Sequence, residues 1–424
     1  MPGKQLSIGL LGCGTVGRGL VELVTRNREL LRERAGVEVG ISKILVRDQK
    51  KERPGVDPRL VTTDPEKVLQ NGCDMVVELV GGVEPARTFI QQAIVGRKHV
   101  VTANKALLAA DGFNLQQAAA QQRVRFGFEA SVCGGIPIVR ALKSGLVGNQ
   151  IQSLAGILNG TCNYILTRME EERAEFSEAL LQAQQKGFAE EDPTLDIDGL
   201  DAAQKLKILA ELAFNARVDA EQVQVEGIRD ITADDLRAAD ELGCVIRHVA
   251  RVERMGDTLA FEVGPVLLPK AHQLAGVRDE NNAVLVRGDA VGEMVFFGKG
   301  AGSLPTASAV LSDIVDIACN KAARSPLPTR TLTVAALDRS GQHYLRFPVP
   351  EPSAIGAIST VLERNGIEVQ RAAATWSRNE SEASQVKILT QACSRRELDK
   401  ALADIAADAQ LTGRSVALPL AGES

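Results

Sequence analysis

The residues best suited to chemistry lie between Ala183 and Lys205, in the stretch AQQKGFAEEDPTLDIDGLDAAQK. It carries six carboxylates, Glu190, Glu191, Asp192, Asp196, Asp198 and Asp201, followed by the single amine of Lys205. A helix is expected to stop at Gly187, where glycine supplies the positive φ of a helix end. A second helix is expected to open around Gly199–Asp201. Asp201 and Lys205 are four apart and so share one face of that helix. An amine beside an acidic loop is suited to proton transfer, or to holding a substrate amine together with its carboxylate neighbours. The same pattern also fits a solvated acidic loop followed by a surface ion pair.

A second chemical feature is Gly12-Cys13-Gly14-Thr15-Val16-Gly17, placed between an apolar run, LSIGLLG over 6–12, and a helical pattern of Val16, Leu20, Leu23, Val24 and Leu30. Strand, GxGxxG and helix in that order form the dinucleotide-binding fingerprint. The first glycine makes the turn, the second lets backbone approach a pyrophosphate, and the third lets helix and strand pack closely. The helix N-terminus attracts the anion. The next strand, Val37–Val46, ends at Arg47-Asp48, with Lys50, Lys51 and Arg53 behind it. An acidic residue there binds the ribose 2′-hydroxyl of NAD, whereas basic residues suit the 2′-phosphate of NADP. Arg47 therefore favours NADP, and Asp48 keeps NAD possible.

Further strands are expected at Met75–Val80, running into Gly81-Gly82, at His99–Thr102, and at Val124–Phe128. Pro85 suits the first turn of a helix. Thr102-Ala103-Asn104-Lys105 stands at a strand's carboxyl end, where doubly wound sheets bind ligands. Lys105 at a helix start opposes the helix dipole, which marks it as a ligand contact rather than a stabilising charge. The glycine-rich run Gly298–Thr306 precedes a helix over Ala307–Asn320 and is a second candidate for anion binding.

From Gln150 the pattern changes to an α+β one. Ile151–Leu158 alternates and leads into Asn159-Gly160-Thr161-Cys162-Asn163-Tyr164. Helical spacing follows at Ile165–Glu171, Ser177–Gly187 and Leu200–Ala213, and strand-like segments at Thr258–Val266 and Ala283–Arg287. Thr161 can cap a helix. Pro326 and Pro328 lie in a connector that reaches Gly341. The C-terminal part reads strand His343–Val349, helix Ala354–Asn365, strand Ile367–Thr375, strand Ser384–Gln391, helix Arg395–Ala406 and strand Arg414–Leu418, the ferredoxin-like order.

Composition narrows the function classes. The chain has 424 residues, enough for about three domains. With 45% hydrophobic and 24% charged residues it reads as soluble and globular. A net charge of −5 and a pI near 5.7 lack the basic footprint of a nucleic-acid binder. Aromatics make up only 3%, too few for a base-stacking surface. No apolar run approaches the roughly 20 residues that span a bilayer, and Met1–Gln5 passes directly into a strand pattern, so neither a membrane anchor nor a secretory leader is expected. Seven cysteines at 13, 73, 133, 162, 244, 319 and 393 show no CxxC spacing, which favours reduced thiols in the cytoplasm over disulfides or a zinc site.

The Ala183–Lys205 stretch resembles the signature of homoserine dehydrogenases at Ala183, Gly187, Phe188, Ala189, Asp192-Pro193, Asp196-Ile197, Gly199, Asp201 and Lys205. TANK (102–105), the loop Glu129-Ala130-Ser131-Val132-Cys133-Gly134-Gly135-Ile136-Pro137, the Gly298–Thr306 run and the C-terminal module resemble that family too. The resemblance implies an α/β protein: a Rossmann nucleotide-binding domain over 1–137, completed by about 307–335, an α+β catalytic and dimerisation domain over 138–306, and a ferredoxin-like ACT regulatory domain over 342–424. It implies reversible interconversion of L-homoserine and L-aspartate 4-semialdehyde with NAD(P), on the route to threonine, methionine and isoleucine. Lys205 would be the acid/base, its pKa lowered by burial or by Lys105, and Asp201 its orienting partner. Glu190, Gly187, Thr161 and Asp196 would contact substrate. Gly12, Gly14, Thr15, Val16, Gly17, Arg47, Thr102, Lys105 and Gly302 would contact cofactor. A sodium or potassium ion would be held by Glu129 and the carbonyls of Val132, Gly134 and Ile136. The family further implies homodimers or homotetramers and a threonine effector, although Ser353 stands where ACT domains usually have glycine. Two other readings fit the same scaffold: a different amino-acid dehydrogenase, separated by its rates on other oxo acids, and a non-catalytic NADP and amino-acid sensor, which would bind nucleotide without turnover.

Overall fold

Leu6, Ile8 and Leu10 project from one face of β1 (Lys4–Leu11) and Leu11 from the other, because strand side chains alternate. Both faces are buried, so this strand needs helices above and below it. The computed structural model describes residues 4–70, 72–218, 223–319, 330–375, 384–408 and 411–421. The chain divides into two units: one of Met1–Leu154, Ala203–Ala220 and Asn281–Leu332, the other of Ala155–Ala202, Glu221–Glu280 and Thr333–Ser424.

In the first unit, β1 lies within a six-stranded sheet with β2 (Val37–Leu45), β3 (Val61–Thr62), β4 (Met75–Glu78), β5 (His99–Thr102) and β6 (Phe126–Gly127). The order is β3-β2-β1-β4-β5-β6, and every neighbouring pair is parallel. On one face pack Leu20, Leu23 and Val24 of α1 (Thr15–Arg26) and Val310, Ile314 and Ile317 of α12 (Ser303–Ala318). On the other pack Ile90 and Ile94 of α4 (Ala86–Val95) and Leu107 and Leu115 of α5 (Lys105–Gln121). Each such buried side chain contributes about 1.5–3 kcal/mol. A Cβ on Gly19 would lie 2.7 Å from the Ser303 carbonyl, so glycine there lets α1 and α12 pack closely. Strand order reverses between β1 and β4, the switch point at which such sheets bind ligands.

The second unit holds α7 (Gly160–Glu172), α8 (Phe176–Gln185), α9 (Thr194–Ile197) and α11 (Ala233–Glu241). With them are an antiparallel pair, β9 (Cys244–Met255) and β10 (Thr258–Pro269), and β14 (Thr333–Ala336) parallel to β10. Its C-terminal part runs β15 (His343–Val349), α13 (Ala354–Arg364), β16 (Val369–Thr375), β17 (Ser384–Thr390), α14 (Arg395–Asp408) and β18 (Val416–Pro419), with sheet order β16-β17-β15-β18 and antiparallel neighbours. Every residue of β15 is buried. Leu345, Phe347 and Val349 face a core shared with α13 and α14, while Tyr344, Val416 and Leu418 join the core built by α7, α8 and α11. Across that core the Tyr344 hydroxyl and the Arg346 guanidinium donate to the wholly buried Asp235 carboxylate of α11, at 2.9 and 2.8 Å.

Several expectations need correction. The pattern from Val16 to Leu30 is two helices: α1 ends at Arg26, α2 (Arg28–Ala35) follows, and Leu30 is 39% exposed. The strand expected over Val124–Phe128 shrinks to β6. Gly298 and Lys299 end a strand, β12 (Gly292–Lys299), and the helix after the glycines begins at Ser303 rather than Ala307. The helix expected from Ile165 starts at Gly160, which places Thr161 inside α7 and gives the cap to Asn159. Pro85 is the N-cap of α4 rather than its first helical residue. Asn320, Pro326 and Pro328 lie outside the described residues. Among those described, no helix is long and apolar enough to cross a membrane, and none of the seven cysteines forms a disulfide.

Candidate active site

At the carboxyl ends of β1, β2 and β4 the first unit opens a crevice of about 910 Å³, lined by Gly12, Gly14, Thr15, Arg18, Arg47 and Gly81 among others. The three glycines of the fingerprint have separate reasons. Gly12 turns at φ 95°, and a Cβ on it would sit 2.6 Å from the Leu79 carbonyl. A Cβ on Gly17 would meet the Gly12 carbonyl at 2.6 Å, so helix and strand could not close. Gly14 has no atom within 4 Å of its missing Cβ; it leaves open space beside the first turn of α1, whose free N–H groups suit a pyrophosphate. Thr15 is exposed at that turn, while Val16 packs against the core, so only its backbone is available.

Arg47 is exposed on the crevice wall, with Lys51 and Arg53 beside it. The Asp48 carboxylate accepts the Lys50 N–H at 2.8 Å and its carbonyl accepts the Arg53 guanidinium at 3.0 Å, so Asp48 is tied into its own turn. Gly302 is the N-cap of α12 at φ 126°, a conformation few side chains allow. Lys105 is half-buried at the first residue of α5, behind the N-cap Asn104. Thr102 is fully buried, and its hydroxyl donates to Glu78 at 2.6 Å; its side chain lies behind the wall.

In the second unit the six carboxylates separate. The Asn159 side-chain amide donates to Asp196 and to Asp201, each at 2.7 Å, while its oxygen caps α7 by accepting the Cys162 N–H at 2.8 Å. Asp201 is only 4% exposed. Thr161 donates its hydroxyl to the Phe188 carbonyl at 2.7 Å and lies 3.3 Å from Asp196. Asp198 is paired with Arg229 instead, and the Asp192 carboxylate accepts the Thr194 N–H at 3.1 Å. Glu190 and Glu191 are exposed, their carbonyls held by Gln184. Gly187 sits at φ 75° just past α8, where the Phe188 N–H bonds back to the Ala183 carbonyl at 2.9 Å. This is the helix-stop geometry expected of glycine. Lys205, half-buried, stands four residues after Asp201 on α10 (Leu200–Phe214), in the part of that helix that belongs to the first unit.

The Glu129 loop is dense with buried charge. Both Glu129 carboxylate oxygens accept backbone N–H groups, from Val139 and Arg140, at 2.8 Å. Burial first, and the nearby Asp313 second, push its carboxyl up to about 7. The Asp313 carboxylate accepts the Glu129 N–H at 2.8 Å, and burial raises its own carboxyl to about 6. Lys143 lies with its ammonium 3.8 Å from the Phe128 ring centre and is lowered to about 8 by burial. The turn is tight, with Cys133 at φ 54° and Gly134 at φ 48°, and the Ile136 carbonyl accepts the Ile138 N–H at 2.8 Å. Among the described residues no cluster of three or more His, Cys, Asp or Glu could hold a metal; one carboxylate and carbonyls suit a hard monovalent ion instead.

Sequence reasoning named Asn159 only as the first residue of the run that follows Ile151–Leu158, with no role of its own. Its position three residues before Cys162 is an N-cap signal, but its bond to Asp201 spans 42 residues and has no local trace. Glu78 and Asp313 were also missed, since single acids inside apolar runs carry no motif.

A parallel sheet with a glycine-lined crevice at its switch point defines a dinucleotide-binding protein of the α/β class, and the chain also carries a buried carboxylate, Asp201, with the amine of Lys205 one turn further along α10. The family model described as "Homoserine dehydrogenase, NAD binding domain" matches residues 12–129, and the one described as "Homoserine dehydrogenase" matches 137–315. The chain is 38% identical to a homoserine dehydrogenase of Bacillus subtilis over 412 residues, 95% of each chain. It is 48% identical to that of Synechocystis over 320 residues, 74% of this chain and 73% of the relative. A crystal structure of a homoserine dehydrogenase from Thiobacillus denitrificans superposes with a TM-score of 0.90 at 38% identity, covering 99% of both chains. A hyperthermophilic archaeal homoserine dehydrogenase in complex with NADPH superposes with a TM-score of 0.62 at 26% identity, covering 75% of this chain and 98% of that one. The chain belongs to the homoserine dehydrogenase family. Its activity is the reversible, nicotinamide-cofactor-dependent interconversion of L-homoserine and L-aspartate 4-semialdehyde.

Proposed function

We propose that Lys205 is the proton donor and acceptor of this reaction and that Asp201 orients it. The observation that carries the reading is the buried Asp201, held by the Asn159 amide one helical turn before Lys205. The nicotinamide cofactor, when bound, supplies the redox chemistry. Lys205 delivers a proton to the aldehyde oxygen in reduction and removes it from the alcohol in oxidation. Glu190 holds the substrate ammonium, for which a carboxylate is the natural partner, and Asp196 is a further substrate contact. Thr161 and the Gly187 backbone complete the substrate contacts.

Gly12, Gly14, Thr15, Val16 and Gly17 hold the pyrophosphate, and Gly302 and Lys105 further parts of the cofactor; Thr102 acts through its backbone. NADP is the preferred cofactor and NAD the weaker one. In support, Arg47 and Asp48 both line the crevice but the Asp48 carboxylate is engaged by its own turn, and the archaeal relative is in complex with NADPH. Glu129 and the carbonyls of Val132, Gly134 and Ile136 hold sodium or potassium, whose charge offsets a carboxylate that burial disfavours. Residues 1–137 with about 307–335 serve the nucleotide, 138–306 the substrate and dimerisation, and 342–424 form a ferredoxin-like ACT domain. The β-α-β-β-α-β order of β15–β18 supports the last assignment. The threonine effector belongs to that domain, although Ser353 precedes α13 at φ −57°, makes no capping bond with its side chain and needs no glycine. The enzyme works in the cytoplasm as a homodimer or homotetramer.

Initial rates of semialdehyde reduction with NADPH and with NADH, each with and without threonine, test the reading. NADPH is expected to give the higher kcat/KM, and Lys205→Ala to abolish most turnover. Near-normal turnover in Lys205→Ala refutes the assignment.

A further inference from the structure

Glu78 ends β4 with its side chain wholly buried, and no step of the reaction uses it. Its Oε1 accepts the N–H groups of Val80 and Gly81, at 2.7 and 3.1 Å, and its Oε2 accepts the Thr102 hydroxyl at 2.6 Å. The Thr102 oxygen in turn accepts the Asn104 N–H at 3.0 Å. Asn104 then donates its amide to the Gly82 carbonyl at 2.6 Å, while its oxygen caps α5 at the Leu107 N–H, 3.1 Å away. The bonds therefore form a ring: they leave β4 through the Glu78 carboxylate, cross to the end of β5, and return to the loop that follows β4.

That loop is a wall of the crevice, through Leu79, Val80 and Gly81. The far side of the ring is the first residue of α5, Lys105. A buried carboxylate is expensive to desolvate and is retained where its several hydrogen bonds specify one geometry. A glutamine cannot copy this one. Its oxygen could keep the two N–H groups, but its amide would then point a donor at the Thr102 hydroxyl, whose proton would have no acceptor.

We propose that Glu78 is a positioning residue for the nicotinamide cofactor, acting through Thr102 and Asn104 to hold the Gly81–Gly82 wall and Lys105 in binding geometry. This rests on the reading of the crevice as the cofactor site. Every bond of the ring lies within the first unit, at the crevice wall, so its loss is expected to weaken cofactor binding, and saturating cofactor to restore most of the turnover.

The test is steady-state kinetics and fluorescence titration with NADPH on the full chain carrying Glu78→Gln or Asn104→Asp. The second variant keeps the helix cap but removes the donor to Gly82. Both are expected to raise KM and Kd for NADPH about tenfold, with kcat at saturating cofactor within about threefold of the parent. Ile90→Val, a loss of packing in the same core, is expected to leave both constants unmoved. Folded variants that bind NADPH as tightly as the parent overturn the proposal, as does an equal shift in Ile90→Val. If Glu78→Gln does not fold, Asn104→Asp decides alone. A parent chain that binds neither NADPH nor NADH instead refutes the cofactor reading itself.

Discussion

Asn159 donates its side-chain amide to the buried carboxylate of Asp201 at 2.7 Å. The same amide serves Asp196, and the same side chain caps α7. Asn159→Ala therefore removes three contacts and leaves two carboxylates without their shared donor. We expect a loss of about 2–4 kcal/mol in stability, read from denaturant midpoints, since a cap and two charged hydrogen bonds go together. Turnover should fall more than about tenfold while NADPH affinity, read by fluorescence, stays within about twofold.

Lys205→Ala is expected to lower kcat by at least about a hundredfold, the usual share of a general acid/base. Lys205→Arg should not rescue it, because a guanidinium does not release its proton near neutral pH. Glu190→Ala should instead raise KM for the amino-acid substrate. Initial rates in both directions separate these outcomes.

Arg47→Ala should reduce the preference for NADPH over NADH about tenfold, through a higher KM for NADPH alone. An unchanged ratio of kcat/KM values would remove Arg47 from the cofactor assignment.

The Glu129 carboxyl, at about 7 in the fold, binds a proton that its unfolded form, near 4.5, has lost. Stability contributed by this group is thus fully present below about 4.5 and lost as pH rises to about 7, by about 1–3 kcal/mol. Asp313, raised to about 6, acts in the same direction. His248 and His343, both lowered to about 4 by burial, oppose it between about 4 and 6.5. The Glu129 share is read from the difference in Tm between the parent and Glu129→Gln across pH 4 to 8. At pH 8, sodium or potassium chloride should raise the parent's Tm above that in tetramethylammonium chloride of equal strength, and Glu129→Gln should lose this difference.

Asp235→Ala leaves the buried Arg346 guanidinium without its carboxylate and should cost about 3–5 kcal/mol. Truncation before His343 exposes the core that Tyr344, Val416 and Leu418 complete. The shortened chain should bind a hydrophobic dye and aggregate where the parent does not.

Much of the site was legible because its requirements are local. The strand–GxGxxG–helix unit reads directly, since Gly12 needs a positive φ and Gly17 a missing Cβ whatever the rest of the chain does. The helix stop at Gly187 and the order of the six C-terminal elements read for the same reason. β9 did not read, because its central Arg247 and His248 are buried among apolar neighbours and break the alternation that signals a strand.

What the sequence by itself determined is the family, the nucleotide fingerprint and the inventory of acids and amines, because each depends on residue type and short spacing. Only the tertiary structure decided how those groups are used. It put Asp196 and Asp201 on one amide, sent Asp198 to Arg229, and buried Thr102 behind the wall against Glu78. Those pairings join residues 24 to 42 positions apart, and their energies come from desolvation and geometry that exist only once the chain has packed.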